Sequence, residues 1–266
     1  MQTNTIKQKL KAGGRVLGTC ITDYTSPEIV TIFKAAGLEF FFIDTEHSVP
    51  SYRDIQTLVR AGRGAGVIPL VRVTQSEYFL IARLLDVGAM GIIAPRTASV
   101  EEARRIVTSM KFTPEGNRGY GLRGIVNDYQ YAGARAEMDS ANRETMVILQ
   151  VENTECLDAV FDIAATPGVD ALMIGPFDLS ISLGIPGQFD DPIFWKAFGR
   201  VVEACHKAGI APGIHVGNAT QLKKAAGRGA RFLVCGSDAS VLLAGYRSIV
   251  EEMAQDASVA TKTGYM

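Results

Sequence analysis

Eight short apolar segments, each followed by an amphipathic segment, recur along the whole chain of 266 residues. The apolar segments are continuous rather than alternating, which is typical of parallel strands buried on both faces. They span residues 15–21, 40–46, 68–73, 91–96, 145–152, 171–176, 211–216 and 232–237. Eight uninterrupted strand–helix units predict an α/β fold, a TIM (β/α)8 barrel, with residues 1–266 as a single domain.

A doubly wound parallel sheet is the alternative fold for alternating strands and helices. It usually has fewer units and a glycine-rich turn after its first strand, and no such turn follows residues 15–21. One G-x-G-x-x-G pattern spans residues 119–124, but no strand leads into it and no clear helix follows. This pattern therefore predicts a flexible loop rather than a dinucleotide site.

The boundaries of several predicted helices are marked by typical capping residues. Ser26, Ser51 and Ser99 precede amphipathic segments, and glycines follow many of them. The last amphipathic segment spans residues 238–255. The polar tail 256–266 is expected to fray.

The long loop 112–143 is the main irregularity, since it shows no sustained hydrophobic period. It carries several glycines together with Pro114, Arg118, Arg123, Arg135 and Arg143. Long loops inside compact domains are usually functional or disordered. Two interpretations stay open: a lid or assembly arm, or a variable surface excursion with partial helix.

Composition excludes several classes of function. The chain has 27 basic and 28 acidic residues, a net charge of -1, so no global field attracts nucleic acid or an anionic membrane. No apolar run approaches the length of a membrane span, and the polar N-terminus lacks a signal-peptide core. Four cysteines without paired spacing fit reduced thiols in a cytoplasmic protein.

Active sites of TIM barrels lie at the C-terminal ends of the strands, and polar residues concentrate there in this sequence. The second segment ends in Asp44, Glu46 and His47. The other strand ends carry Arg72, Arg96, Gln150, Glu152, Asp178, His215 and Asp238. These side chains are expected to converge on a ligand, because burying them without partners is costly.

Each candidate has a chemical and a structural interpretation. Glu152 and Asp178, at neighbouring strand ends, suit a hard divalent cation that keeps several waters, although paired acids are also common at loop starts. His47 suits a general base oriented by a nearby carboxylate, or it is a structural histidine. Arg72, in an apolar strand, needs an anionic partner: a substrate carboxylate, or an internal salt bridge to Asp86 or Glu46. No lysine lies in a predicted strand, which disfavours imine catalysis.

Several motifs resemble the HpcH/HpaI aldolase family in order and spacing, from about residue 15 to residue 250. They are Asp44-Thr45-Glu46-His47, Val71-Arg72-Val73, Leu85-Asp86-Val87-Gly88-Ala89, Pro114-Glu115-Gly116-Asn117-Arg118-Gly119, Gln150-Val151-Glu152 and Gly175-Pro176-Phe177-Asp178-Leu179-Ser180. The resemblance implies a metal-dependent class II pyruvate aldolase of the 4-hydroxy-2-oxoheptanedioate aldolase type. Such an enzyme reversibly cleaves a 4-hydroxy-2-oxo acid into pyruvate and an aldehyde.

The resemblance also implies roles for individual residues. Glu152 and Asp178 would hold Mg²⁺, Mn²⁺ or Co²⁺, on which pyruvate chelates. His47, oriented by Asp44, would act as the base, and Arg72 would bind pyruvate and stabilise the enolate. The remaining implied residues are Asp86, which supports the site and in some members comes from a neighbouring subunit; Gln150, which lines the site; and Gly175 and Pro176, whose backbone would donate to the pyruvate carboxylate.

The family resemblance further implies a homo-oligomer, a hexamer that is a trimer of dimers with the last helix exchanged between subunits. Arg96 and His215 depart from the expected pattern, and either could alter the pocket for the aldehyde. The arginines of loop 112–143 are candidates for binding an acceptor carboxylate. Alternative functions are a citrate-lyase-like acyl-CoA ester lyase, a non-catalytic binder of 2-oxo acids, and a phosphosugar enzyme using the loops after the last two strands.

Overall fold

The computed structural model describes residues 1–122 and 124–262, with only the backbone of residues 255–262. Its sheet is a closed barrel in which parallel strands follow one another in sequence order, so the predicted TIM barrel is confirmed. The strands are β1 (Val16–Ile21), β2 (Phe40–Asp44), β3 (Ile68–Arg72), β4 (Gly91–Ala94), β5 (Met146–Val151), β6 (Ala171–Ile174), β7 (Ala211–Val216) and β8 (Phe232–Ser237).

The helices surround this barrel and connect its strands. They are α1 (Thr5–Lys11), α2 (Glu28–Ala35), α3 (Tyr52–Ala65), α4 (Tyr78–Asp86), α5 (Val100–Met110), α6 (Ala134–Glu144), α7 (Thr154–Asp158), α8 (Val160–Ala164), α9 (Pro176–Ser182), α10 (Pro192–Ala208), α11 (Ala219–Gly227) and α12 (Asp238–Lys262). A short 3-10 helix spans Ile125–Asn127.

Alternate residues of each strand pack into two different cores, as the two-residue period of a strand requires. In β2, Phe40 and Phe42 belong to the cluster inside the barrel, whereas Phe41 and Ile43 belong to the cluster between the sheet and the helices. Inside the barrel, the Phe40 and Phe232 rings stack with centroids 4.5 Å apart. Because both faces are buried, the strands read as continuous apolar runs.

Helix α1 closes the N-terminal end of the barrel, which the sequence pattern did not predict. Its Ile6 and Leu10 join the cluster inside the barrel. The Lys7 ammonium donates to the Thr145 carbonyl at 2.8 Å and lies 3.0 Å from the Asp170 carboxylate. The interior is therefore sealed at this end, and the open end is the one where the strands finish.

The predicted helix caps are confirmed at two of three serines. Ser51 forms a capping box with Asp54, and the Ser99 hydroxyl accepts from the Glu102 amide. Ser26 is the exception: α2 begins after Pro27 with no side-chain cap, and the Ser26 hydroxyl donates to the Glu28 carboxylate instead. Proline at this position presets the helical backbone, so a capping hydroxyl is not needed.

Loop 112–143 contains more regular structure than its sequence predicts, since α6 occupies residues 134–144 and the 3-10 helix precedes it. The loop packs on a small core of its own, formed by Phe112, Leu122, Val126 and Ala141. It connects α5 to β5, so it starts at the sealed end of the barrel. Arg123 lies outside the described residues.

The C-terminal helix α12 continues to Lys262, beyond Gln255, where the amphipathic pattern ends. Residues 263–266 of the tail lie outside the described residues, and fraying of the tail stays a prediction. Among the helices described, none has both the length and the apolar character that crossing a bilayer requires.

Candidate active site

A cavity of about 690 Å³ opens at the C-terminal ends of the strands. Most of the residues predicted for the site line this cavity: Asp44, His47, Arg72, Gln150, Gly175, Pro176 and Asp178. They come from the ends of β2, β3, β5 and β6, which the barrel places side by side. No described residue of loop 112–143 lines the cavity, so the described part of the loop forms no lid on this chain's own barrel, and Arg118, Arg135 and Arg143 do not reach an acceptor there.

Arg72 is held by a two-point ion pair at the cavity floor. Its Nε and Nη2 donate to the two carboxylate oxygens of Asp44, at 2.9 and 2.6 Å. Burial alone would raise the pKa of Asp44, but the hydrogen bonds and charge of Arg72 outweigh it and lower that pKa. Of the two internal partners offered by the sequence, Glu46 pairs with Arg72 and Asp86 does not, while the chief partner, Asp44, was not predicted.

Glu46 connects the charged groups of the site; the sequence offered it as a salt-bridge partner of Arg72, but not as a contact of Arg96. Its carboxylate lies 3.3 Å from Arg72 Nη1, 3.4 Å from Arg96 Nε and 3.8 Å from His47 Nε2. The Oε2 atom is buried without a hydrogen-bond partner among the described residues. The position of Glu46 between Asp44 and His47 at a strand end was the available signal.

The His47 ring is more than half exposed and faces the cavity. The expectation that Asp44 orients this ring is wrong in its detail. Asp44 accepts from the backbone amides of Glu46 and His47, at 2.9 and 3.4 Å, and so holds the chain rather than the imidazole. The carboxylate nearest the ring is that of Glu46.

Glu152 is buried beneath the cavity surface, within reach of two other acids. Its Oε1 accepts from the Arg96 amide and its Oε2 from Gln150 Nε2, both at 2.5 Å. Burial, together with the negative charges of Glu46 and Asp178, raises the pKa of Glu152 to about 7. Arg96 adopts a positive φ of 54°, which brings its amide to this carboxylate.

Gly175 and Pro176 line the cavity, but they cannot supply the backbone donors expected from the resemblance. The Gly175 amide already donates to the Val151 carbonyl at 3.1 Å, and proline has no N–H. Gly175 has a different requirement: a Cβ built there would lie 2.7 Å from Gln150 Nε2 and 2.9 Å from Glu152 Oε2. The glycine therefore allows close packing against the buried glutamate.

The donor groups present fit a hard divalent cation. Asp178 lines the cavity with no side-chain partner in the described part of the chain, and Gln150 Oε1 is buried without a hydrogen bond. Oxygen atoms of this kind, beside an acid whose pKa is raised, are the ligands that Mg²⁺ and Mn²⁺ prefer. Among the residues whose side chains the structure describes, 1–122 and 124–254, no group of three or more His, Cys, Asp or Glu is suited to a metal, so the protein would supply few ligands.

Asp86 is not brought to the cavity within one chain. It is the last residue of α4, just before β4, and therefore lies at the sealed end of the barrel. There its carboxylate accepts from Arg118 Nη2 at 2.6 Å, and the Arg118 side chain is almost fully buried. Any role of Asp86 in a reaction requires a site on a second subunit.

Two further polar residues at strand ends have distinct surroundings. Asp238 accepts from the amides of Thr22, Asp23 and Tyr24, so it holds the turn after β1. His215 lines the cavity, and its Nε2 lies 3.0 Å from the Gly236 carbonyl. Asp238 is therefore structural, whereas His215 presents its ring to the cavity.

The four cysteines are free, and burial raises the pKa of their thiols, to about 12 for Cys156 and Cys205. A thiolate nucleophile is therefore not part of the chemistry. The barrel, with the paired arginine and the acidic groups gathered at its strand ends, is the arrangement of a (β/α)8-barrel enzyme.

Comparison with known proteins identifies the family. A sequence model described as HpcH/HpaI aldolase/citrate lyase matches residues 22–244. The chain is 33% identical over 255 residues to the hydroxypyruvate/pyruvate aldolase of Paraburkholderia phytofirmans, covering 94% of this chain and 98% of that one. It is 30% identical over 262 residues to the 4-hydroxy-2-oxo-heptane-1,7-dioate aldolase of Klebsiella pneumoniae, covering 97% of each.

A solved HpcH/HpaI aldolase from Desulfitobacterium hafniense superimposes with a TM-score of 0.89 at 34% identity, covering 93% of this chain and 95% of that one. The chain therefore belongs to the HpcH/HpaI aldolase/citrate lyase family, as its motifs predicted. It is a carbon–carbon lyase.

Proposed function

We propose that this protein is a divalent-metal-dependent aldolase that reversibly cleaves a 4-hydroxy-2-oxo acid into pyruvate and an aldehyde. The observation that carries the proposal is that Arg72, held by two carboxylates, shares one cavity with Asp178, and that Glu152, whose pKa is raised to about 7, is buried just beneath it. The names of the relatives from Paraburkholderia phytofirmans and Klebsiella pneumoniae support the same reaction.

Glu152 and Asp178 would hold the cation, Mg²⁺, Mn²⁺ or Co²⁺. When bound, the cation would supply a Lewis acid that polarises the 2-oxo group and lowers the barrier to losing a proton from C3. The raised pKa of Glu152, caused by burial and by the negative charges of Glu46 and Asp178, supports this pair. A positive ion would relieve that repulsion.

Arg72 would bind the carboxylate and oxo oxygens of pyruvate and stabilise negative charge as it develops on them. The ion pairs with Asp44 and Glu46 fix the guanidinium before substrate arrives, so little reorganisation is needed in the reaction. Gln150 would line the same floor, with its amide nitrogen engaged by Glu152.

His47 would accept the proton from C3 of pyruvate in the aldol direction and return it during cleavage. Its ring lines the cavity, and the Glu46 carboxylate lies 3.8 Å from its Nε2. The exposure of the ring also leaves a route by which the proton exchanges with water.

Two surfaces of the chain are suited to contacts between subunits of a homo-oligomer, which the family resemblance predicts to be a hexamer. Helix α12 exposes a row of large apolar side chains: Val241, Leu242, Leu243, Tyr246, Ile249, Val250 and Met253. A patch of this kind is typical of a subunit interface. At the sealed end of the barrel, Asp86 would then contribute to the site of a neighbouring subunit, with the buried Arg118 holding its carboxylate. The free thiols fit the cytoplasmic location predicted from the sequence.

The experiment that tests this function follows pyruvate release from 4-hydroxy-2-oxo acids through lactate dehydrogenase and NADH. We expect release with Mg²⁺ or Mn²⁺ and none after EDTA, with activity restored by excess metal. Release that needs coenzyme A, or none from any such acid, would contradict the proposal and favour the acyl-CoA ester lyase or the non-catalytic binder.

A further inference from the structure

His215, at the end of β7, presents a hydrogen-bond acceptor to the cavity. Its Nε2 lies 3.0 Å from the Gly236 carbonyl oxygen, which only accepts, so the proton of a neutral ring is on Nε2. The Nδ1 atom then carries a lone pair and has no hydrogen-bond partner among the described residues. The edge of the ring packs against Phe42, with centroids 5.5 Å apart, which fixes its orientation.

The imidazole stays neutral in this position. Burial and the nearby positive charge of Arg72 lower the pKa of His215, and these effects outweigh the Gly236 hydrogen bond and the Asp44 charge. A second cation beside Arg72 is disfavoured, so the ring is suited to binding rather than to carrying a proton through a reaction cycle.

The group that binds to Nδ1 must carry a polar hydrogen. Pyruvate has no such hydrogen, because all its oxygens are acceptors at neutral pH. The partner is therefore a hydroxyl group on the aldehyde half of the substrate. Two hydroxyls qualify: the C4 hydroxyl of the intact 4-hydroxy-2-oxo acid, which becomes the aldehyde oxygen and is common to all such substrates, and a further hydroxyl beside it, which distinguishes one aldehyde from another.

Among the described residues of this chain, the cavity offers no unpaired cation to a carboxylate on that aldehyde. The cavity-lining cations among the described residues are Arg72, paired with Asp44 and Glu46, and Lys224, whose Nζ lies 2.5 Å from Asp190. The remaining polar groups near β7 are neutral. Asn218 and Gln221 use their side-chain oxygens to accept backbone amides, which leaves their amide nitrogens as donors.

We infer that His215 determines specificity for a neutral α-hydroxyaldehyde acceptor, by accepting a hydrogen bond from the hydroxyl on the carbon next to the aldehyde. The inference rests on the proposed aldolase function and names the class of its second substrate.

Competition between two aldehydes tests the inference. Metal-loaded enzyme and limiting pyruvate are mixed with equal glycolaldehyde and acetaldehyde, and the product ratio gives the ratio of the two kcat/KM values. Because both aldehydes compete for the same active sites, the ratio does not depend on how much enzyme is folded. The variants are His215→Leu, His215→Asn, whose amide oxygen can replace Nδ1, and the matched control Val216→Ala, on the same strand.

We expect the wild type to prefer glycolaldehyde, and His215→Leu to reduce that preference about tenfold, the effect of losing one hydrogen bond. His215→Asn should retain part of the preference, and Val216→Ala should retain all of it. An unchanged ratio in His215→Leu, or an equal loss in Val216→Ala, would overturn the inference. So would a wild-type preference for succinic semialdehyde over butyraldehyde.

The proposed function has a separate readout in the same samples, the exchange of the pyruvate methyl protons in D₂O. Wild-type exchange with an unchanged aldehyde ratio in His215→Leu would overturn the inference alone. Absence of both exchange and aldol products in the wild type would overturn the proposed function and the inference with it.

Discussion

Replacing Asp44 by Asn tests whether the ion pair with Arg72 organises the site. The amide would place an N–H donor against Arg72 Nη2, where Asp44 Oδ2 now accepts at 2.6 Å. Removing one partner of a buried ion pair costs about 3–5 kcal/mol. Glu46, 3.3 Å from Arg72 Nη1, compensates part of the positive charge that Asp44 no longer neutralises. We therefore expect the free energy of unfolding to fall by an amount near the lower end of this range, about 3 kcal/mol.

For a chain of this length, a loss of about 3 kcal/mol corresponds to a fall in Tm of roughly 6–12 °C. The same change loosens the backbone at Glu46 and His47, and we expect kcat/KM to fall about 100-fold. Urea unfolding followed by circular dichroism at fixed protein concentration measures the stability. Asp139→Asn, which breaks an exposed pair with Arg135, is the control and should change stability by less than about 1 kcal/mol.

The double variant Asp44→Asn/Arg72→Met measures the interaction between these two side chains separately from the contacts that each makes with other residues. Since it removes both charges, it should be less destabilised than the sum of the two single variants, by about 1–3 kcal/mol. Additive losses, or a loss from Asp44→Asn no larger than that of the control, would refute the reasoning.

Three further predictions concern separate parts of the molecule. Glu152→Gln should weaken Mn²⁺ binding in calorimetry at least about tenfold, since it removes a charged ligand; unchanged affinity would exclude this residue from the metal site. Gly175→Ala should lower kcat/KM at least about tenfold and cost about 1–3 kcal/mol in urea unfolding, since its Cβ would meet Gln150 and Glu152; a wild-type rate would contradict the close contact. Lys111 has its pKa lowered from 10.5 to about 7 by burial and by the charge of Lys7. Between these values the unfolded chain binds more protons, so the free energy of unfolding should rise with pH, and Lys111→Met should lose that rise in urea titrations.

The barrel could be predicted because each of its strands is buried on both faces and therefore leaves a continuous apolar run. Helix α1 escaped prediction because only Ile6 and Leu10 of its short, mostly polar stretch are apolar core residues. The helical part of loop 112–143 was hidden for a similar reason, since ARAEMDSANRE has no continuous apolar stripe.

The candidate site was predictable as a set of residues, but not as a set of contacts. Strand ends converge in any closed parallel barrel, so Asp44, Arg72 and Asp178 were expected in one cavity. Which carboxylate pairs with Arg72 depends on side-chain rotamers, and these are not encoded in the spacing of residues. The position of Asp86, however, followed from topology alone, because a helix that precedes a strand ends at the sealed side of the barrel.

Loss of the pyruvate methyl signal in D₂O, followed by proton NMR, tests the central claim most directly because it needs no knowledge of the aldehyde. The account predicts exchange in the presence of Mg²⁺ or Mn²⁺, none with EDTA, and none in His47→Ala, whose folding is checked by circular dichroism. Exchange that persists with EDTA or in His47→Ala, or no exchange with metal present, would contradict an enolate formed by His47 at a metal-dependent site.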